Sequence, residues 1–151
     1  MMQISKHFSL AELCNSAEGK RQGISNVADE KSIKNLTLLA DNILEPIREY
    51  FDKPIHIISG YRNAVLNKKV GGSKTSQHMI GQAADIDNDN TEVSNADIFN
   101  YIKDNLKYDQ LIWEFGTDES PAWVHVSFSS KPRKQILKAY KNGLITVYKK
   151  L

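Results

Sequence analysis

The chain has 151 residues, of which 40% are hydrophobic and 25% charged, and its formal net charge is +2. This length and composition predict one globular domain, residues 1–151, that can bury a core without cross-links. A single cysteine, Cys14, excludes an internal disulfide. Residues 131–151 contain seven basic and no acidic side chains. Neither aromatic interleaving nor a glycine-rich loop accompanies them, so we expect no nucleic-acid partner.

Hydropathy also limits where the chain acts. No apolar stretch is long enough to cross a bilayer, and residues 1–7 lack the apolar core of a secretory signal. We therefore expect no membrane span and synthesis in the cytoplasm without a signal peptide. We also expect a monomer.

Helical patterns dominate the first half. Ser9 and Glu12 are spaced as a capping box at the start of a short helix. Pro46 lacks a backbone N–H, so we expect a kink or an end near it in the following helix. That helix is predicted from apolar residues at helical spacing, namely Ile33, Leu36, Leu39, Ala40, Ile43, Leu44 and Ile47.

Strand patterns dominate the second half. The β-branched run 55–59 predicts a buried strand, and 82–87 predicts another, followed by a mobile turn at 88–90. Ser94 is a suitable cap for a further helix. Asn142-Gly143 indicates a two-residue hairpin turn. Further strands are predicted at 109–115, 123–128, 136–140 and 144–148.

The distribution of these elements predicts the fold class. Helices mostly in the first half and strands mostly in the second favour an α+β fold, with helices packed on one side of an antiparallel sheet. The strands 109–115 and 123–128 are joined by a short loop, so they should pair antiparallel.

Two histidines and an aspartate indicate a divalent-metal site. His78 and Asp85 are separated by six residues, and His125 follows about forty positions later. Such a set leaves one tetrahedral position open, as at catalytic zinc. Spacing alone also allows hydrogen-bonded core histidines. Asp87 shares a strand face with Asp85, so it is a rival ligand or a partner of a ligand.

One stretch reads Ser76-x-His78-x-x-Gly81-x-Ala83-x-Asp85. It resembles the signature of the zinc D-alanyl-D-alanine carboxypeptidase group, the M15 peptidases, which includes phage cell-wall endopeptidases. Residues 58–62 and 123–127 resemble two further segments of that family, and residues 7–13 resemble the start of a single-domain branch. The resemblance implies Zn²⁺ on His78, Asp85 and His125, and the fold shared with the hedgehog signalling domain.

Peptide hydrolysis also needs a base. We expect Glu114 in this role, because its strand should pair with that of His125 and its apolar neighbours should raise a carboxyl pKa. Several family members carry an acid three residues before the second histidine, where this chain has Ala122. Asp118 and Glu119, on the intervening loop, therefore stay as alternatives.

Two further residues are candidates for contact with a substrate. The planar guanidinium of Arg62 suits a carboxylate or a polarised carbonyl oxygen. Ser76, two residues before His78, could donate a hydrogen bond to the substrate, and the same spacing also fits a hydroxyl that caps a loop.

The resemblance implies a zinc peptidase acting on the peptide stems of bacterial peptidoglycan, of the D-Ala-D-Ala carboxypeptidase type. One alternative is a cell-wall endopeptidase, such as a phage endolysin, that cuts within the stem. Another is a zinc-stabilised binding module without catalysis, which Arg62 and Glu114 argue against. Without a signal peptide, phage-mediated release would bring the protein to the wall, and a cleaved precursor whose signal is missing is the alternative.

Overall fold

The computed structural model describes residues 2–151. The α-helices are α1 (Leu10–Leu13), α2 (Ala17–Gln22), α3 (Glu30–Leu39), α4 (Glu45–Phe51), α5 (Ala64–Lys69) and α6 (Asn95–Asn105). The strands are β1 (Ile57–Ser59), β2 (Ala83–Ile86), β3 (Gln110–Glu114), β4 (Trp123–Ser127), β5 (Gln135–Asn142) and β6 (Ile145–Lys150). A 3₁₀-helix spans Gln77–Ile80. Within residues 2–151, no helix has the length and apolar character needed to cross a membrane.

The strands form one sheet in the order β1-β2-β4-β3-β5-β6. Neighbouring strands pair antiparallel except β3 and β5, which are parallel. The α+β class is confirmed, but the sheet is mixed. The reason is that the chain leaves β4 and passes β3 before β5 begins, so β5 runs in the direction of β3.

The main core helix continues through Pro46. A π-helical turn, Ala40–Leu44, joins α3 to α4, and the chain stays helical to Phe51. Pro46 removes one backbone donor. A widened turn just before a proline is a common way to absorb that loss without ending the helix. The expected irregularity is therefore present, as a π turn and not as a helix end.

The two faces of the sheet differ. Leu111, Val124 and Val126 point to one face and pack against the buried residues of the helices. Side chains alternate along each strand, so His125 and Ile112 point to the opposite face. The helices thus cover one face, and polar residues collect on the other.

The first strand differs from its prediction. Only residues 57–59 pair, and Ile58 is 48% exposed although Ile55 is buried. β1 lies at the edge of the sheet. An edge strand can leave one side chain in solvent, and its β-branched composition alone does not reveal this.

The turn after β2 is held in place, contrary to the expected mobile turn. Asn88 is fully buried, its backbone N–H donates to Asn95 Oδ1 over 2.6 Å, and its own Oδ1 accepts from the His56 N–H over 2.7 Å. Asparagine side chains can replace backbone partners in irregular segments. These bonds tie the end of β2 to α6.

The C-terminal hairpin forms where expected, with its turn shifted by one residue. Asn142 pairs with Ile145, so Gly143 and Leu144 occupy the turn. Gly143 has φ +65°. A two-residue turn with glycine first needs a positive φ at that position, and this accounts for the shift.

Candidate metal centre

His78, Asp85 and His125 converge on the polar face of the sheet. Asp85 lies directly opposite His125 in the β2–β4 pairing, and the 3₁₀-helix brings His78 beside them. Asp85 Oδ1 is 3.0 Å from His125 Nδ1 and 3.4 Å from His78 Nε2. One ligand atom from each residue lies within 4.8 Å of the other two. The three residues therefore form a group that could hold one metal ion.

The atoms of this group fit a zinc ion. Two zinc bonds of about 2.0–2.1 Å at a tetrahedral angle place ligand atoms about 3.3 Å apart. The distances of 3.0 and 3.4 Å from Asp85 Oδ1 to the two imidazole nitrogens lie on either side of that value. Two nitrogens and one carboxylate oxygen are also the ligand types of catalytic zinc.

A hydrogen bond fixes the orientation of His78. Its Nδ1 is 2.7 Å from the carbonyl oxygen of Gly60, which can only accept, so Nδ1 carries the hydrogen. In a neutral ring Nε2 then presents a lone pair toward Asp85. A lone pair facing a carboxylate is unfavourable unless a cation or a proton lies between them. This is the arrangement by which metal-binding histidines are usually held.

The electrostatics of Asp85 agree with a charged ligand. Burial alone would raise the pKa of its carboxyl, but the two neighbouring imidazoles hold that pKa well below its ordinary value. Asp85 is therefore a carboxylate at neutral pH. The rival Asp87 lies beyond the end of β2, and its Oδ1 accepts from the Asn95 side-chain amide over 3.0 Å. Asp87 is thus turned toward α6 and away from the group.

Glu114 lies on the same face, on β3. It pairs with Trp123, two positions from His125 on the neighbouring strand. The side chain is buried, and burial raises the pKa of its carboxyl to about 7. The backbone carbonyl of Glu114 accepts from the Ala122 N–H over 2.9 Å, but its carboxylate oxygens accept no hydrogen bond among residues 2–151. A buried acid with a pKa near neutrality is suited to proton transfer.

The alternative bases lie elsewhere. Asp118 is exposed and pairs with Lys138, whose ammonium lies over the ring of Trp113 on the helix-covered face of the sheet. Glu119 is exposed on the same loop. Neither residue lines the cleft in which Glu114 and the histidines meet.

Arg62 is tied to His78 through the backbone. Its N–H donates to the carbonyl oxygen of His78 over 3.0 Å, so residues 60 and 62 both bond to this histidine. Its Nη1 lies 3.4 Å from Ser59 Oγ, and its buried Nε has no partner among residues 2–151. Burial lowers the pKa of the guanidinium, whereas the charge of Asp85 raises it. Arg62 therefore places a cation beside the group.

Comparison with known proteins identifies the family. The sequence profile described as Peptidase M15 matches residues 6–127. The chain belongs to the M15 peptidase family. A stretch of 35 residues is 49% identical to the zinc D-Ala-D-Ala carboxypeptidase of Streptomyces albus G, and covers 23% of the chain but only 14% of that relative. The expected cofactor, Zn²⁺, agrees with the family and with the His–Asp–His group.

The M15 chain surrounds this group with a cleft of about 730 Å³. A volume of this size is in the ordinary range for ligand sites. Ser76 lines it, and Ser76 Oγ accepts from the His78 N–H over 3.2 Å as the cap of the 3₁₀-helix. Ser76 therefore caps the 3₁₀-helix, as the alternative prediction for this hydroxyl states. Its hydroxyl hydrogen stays available for a second acceptor in the cleft.

Two residues that support the site were missed from the sequence. Gly60 holds His78, and a Cβ at position 60 would overlap the carbonyl oxygen of Leu13. The glycine in the stretch 58–62 was a signal for such a close approach. Asp109 is buried and accepts from the side chain of Gln77, the neighbour of His78. An aspartate at the start of a strand carries no comparable signal.

Proposed function

We propose that this M15 chain is a zinc-dependent peptidase that hydrolyses the peptide stems of bacterial peptidoglycan, of the D-Ala-D-Ala carboxypeptidase type. The observation that carries the proposal is the placement of an unpaired, buried Glu114 beside the His78, Asp85 and His125 group in one cleft. The partial likeness to a zinc D-Ala-D-Ala carboxypeptidase supports the choice of substrate.

His78, Asp85 and His125 are the residues that would hold the ion. A zinc ion bound there supplies a Lewis acid that polarises the scissile carbonyl and favours ionisation of water. The hydrogen bond from His78 Nδ1 to Gly60 keeps Nε2 directed into the cleft. Asp85 remains ionised, so its carboxylate supplies a negative charge that attracts a divalent cation.

Glu114 acts as the base in this proposal. Its carboxylate takes a proton from the attacking water and returns it to the leaving amine, and a pKa of about 7 suits both transfers. The surrounding apolar side chains of Ile112 and Phe115 limit the access of bulk water. Low water content strengthens each electrostatic contact in the cleft.

Arg62 and Ser76 orient the substrate. The guanidinium can bind the terminal carboxylate of a stem or the oxygen of its scissile carbonyl. The Ser76 hydroxyl can donate to a neighbouring peptide oxygen, since its own lone pair already accepts from His78. By binding the terminal carboxylate, Arg62 selects for stems that end close to the scissile bond.

A second candidate is an endopeptidase that cuts within the stem. It is favoured by the extension of the cleft past the metal group, toward Arg133 and Gln135 on the far side of β3. An enzyme that removes one terminal residue needs little room on one side of the scissile bond, whereas an endopeptidase needs room on both sides.

Product analysis with a synthetic pentapeptide stem tests the proposal. We expect the zinc-loaded protein to release free D-alanine, and the protein treated with chelator to release nothing. Two peptide fragments in place of free D-alanine would favour the endopeptidase. An intact peptide after prolonged incubation with the zinc-loaded protein would contradict both.

A further inference from the structure

Part of the cleft is built by a segment outside the family match. The match ends at residue 127, yet β5 continues the sheet by pairing with β3. Four residues of the later segment line the cleft: Arg133, Gln135, Leu137 and Tyr148. The region from 128 to 151 therefore adds a wall to the cleft that the matched region alone does not provide.

Arg133 is held rigidly at the end of this wall. Its Nε donates to Asp109 Oδ1 over 3.0 Å and its Nη2 donates to Asp109 Oδ2 over 2.9 Å. The backbone N–H of Arg133 and the side-chain amide of Gln77 satisfy the same carboxylate, each over 2.9 Å. The Asp109 side chain is only 4% exposed. A guanidinium held in this way loses little freedom when it binds a ligand.

Part of the Arg133 guanidinium is free. The side chain is 56% exposed and lines the cleft, and it also borders a second, smaller cavity beside Lys134 and Leu151. Its Nη1 has no hydrogen-bond partner among residues 2–151. Asp109 occupies two of the five N–H donors of the fork, so three remain. Beside it, the amides of Gln110 and Gln135 bond to each other over 2.7 Å. Arg133, Gln110 and Gln135 line this end of the cleft, and none of these side chains is a carboxylate.

The sheet order separates Arg133 from Arg62. Arg62 follows β1, Arg133 precedes β5, and the strands that carry Asp85, His125 and Glu114 lie between. Adjacent strands are about 4.8 Å apart, so the backbones of β1 and β5 are separated by about 19 Å. The metal group therefore lies between the segment that carries Arg62 and the segment that carries Arg133. An extended peptide bound across the group can reach Arg62 on one side and Arg133 on the other.

We propose that Arg133 binds the carboxylate of an acidic residue within the stem peptide, on the side of the scissile bond opposite to Arg62. This inference rests on the proposed function and specifies its substrate. Arg133 is then a specificity-determining residue, and the segment 128–151 selects stems that carry an internal free carboxylate over stems in which it is amidated.

Two synthetic stems test the proposal. They share the sequence L-Ala-γ-D-Glu-L-Lys-D-Ala-D-Ala, and the α-carboxyl of the glutamate is free in one and a carboxamide in the other. A partly exposed, charge-assisted hydrogen bond is worth about tenfold in binding. We expect the zinc-loaded wild type to have a KM about tenfold lower for the free carboxylate, with a similar kcat for both stems.

The variant Arg133→Gln should raise KM for the carboxylate stem about tenfold and leave KM for the amidated stem unchanged. Lys131→Gln, which removes the same charge from an exposed position outside the cleft lining, is the matched control and should behave as wild type. Thermal denaturation and zinc content report whether Arg133→Gln folds.

Equal KM values of the wild type for the two stems would overturn the inference without any variant. So would an Arg133→Gln variant that folds and keeps the wild-type preference. In both cases, cleavage of the stems would still support the proposed function. A wild type that cleaves neither stem contradicts the proposed function, and this inference with it.

Discussion

The ring of His78 and the carbonyl group of Gly60 are joined by a hydrogen bond of 2.7 Å, and this bond decides which imidazole nitrogen faces Asp85. Gly60 can occupy its position only because it lacks a side chain, since a Cβ would overlap the carbonyl oxygen of Leu13. The packing of α1 against the end of β1 is therefore coupled to the orientation of a candidate metal ligand.

The substitution Gly60→Ala tests this coupling. Overpacking against backbone typically costs about 1–3 kcal/mol, and the shift should also move the carbonyl away from His78. We expect a lower melting temperature together with weaker zinc binding, measured by calorimetry. Gly19→Ala is the control, because a Cβ there meets only ordinary contacts at 3.4 Å. Unchanged zinc affinity in a destabilised Gly60→Ala would separate the packing from the ligand.

Zinc should stabilise the fold through the His–Asp–His group. A ligand present at a hundred times its dissociation constant adds about 2.7 kcal/mol, which raises the melting temperature of a chain of this size by several degrees. We expect one zinc per chain by elemental analysis and a thermal shift that His125→Ala abolishes. His56→Ala, at an exposed histidine outside the group, should keep the shift. A wild type without any shift on zinc addition would refute the site.

The sequence predicted the candidate His–Asp–His group but not the contacts that support it. His78, Asp85 and His125 could be proposed as ligands because ligand types and family spacing are visible in the chain. The pairing of Asp85 with His125 follows from strand register, which residue patterns specify only through a buried face. The bond from His78 to Gly60 joins two loops, and no periodicity in either loop predicts that contact.

The fold was likewise predictable only in part: local elements could be predicted, and the pairing of distant strands could not. Alternation and helical spacing predicted most helices and strands, but they did not predict that β5 pairs in parallel with β3. Strand order depends on which edge a loop reaches after β4, and this depends on contacts such as that between Asp109 and Arg133. The burial of Asn88 within the predicted turn at 88–90 was likewise not predictable, because asparagine is equally common in exposed turns.

Glu114 should make the metal-free protein less stable as pH rises. Burial raises the pKa of its carboxyl from 4.5 to about 7, so between these pH values the unfolded chain releases a proton that the folded chain keeps. The contribution of Glu114 to stability is fully present below pH 4.5, the pKa of its carboxyl in the unfolded chain. It decreases as the pH rises to about 7, the pKa of the carboxyl in the folded chain. We expect Glu114→Gln to match wild type at pH 4 and to exceed it by about 1–3 kcal/mol at pH 8.

Urea denaturation in the presence of chelator measures this difference. Glu119→Gln changes an exposed acid of the neighbouring loop and should follow the wild-type pH dependence. If Glu114→Gln and wild type differ by the same amount at both pH values, the carboxyl is not held protonated by burial.

Arg62 should act on the terminal carboxylate of the stem. If it does, Arg62→Lys and amidation of the terminal D-alanine remove the same interaction, because lysine lacks the planar fork. We expect either change alone to raise KM about tenfold, and the two together to cost little more than one. Steady-state kinetics on the four combinations measures the coupling. Additive losses would assign Arg62 to the scissile carbonyl or to the fold.

Mass spectrometry of purified muropeptides, incubated with zinc-loaded wild type and with zinc-loaded Glu114→Gln, tests the central claim most directly. We predict that the wild type shortens the stems and that Glu114→Gln, with the same zinc content, does so about a hundredfold to ten-thousandfold more slowly, because an amide cannot accept the proton of the attacking water. Asp118→Asn should keep the wild-type rate. Muropeptides left intact by the wild type, or cleaved at the wild-type rate by Glu114→Gln, would contradict the account.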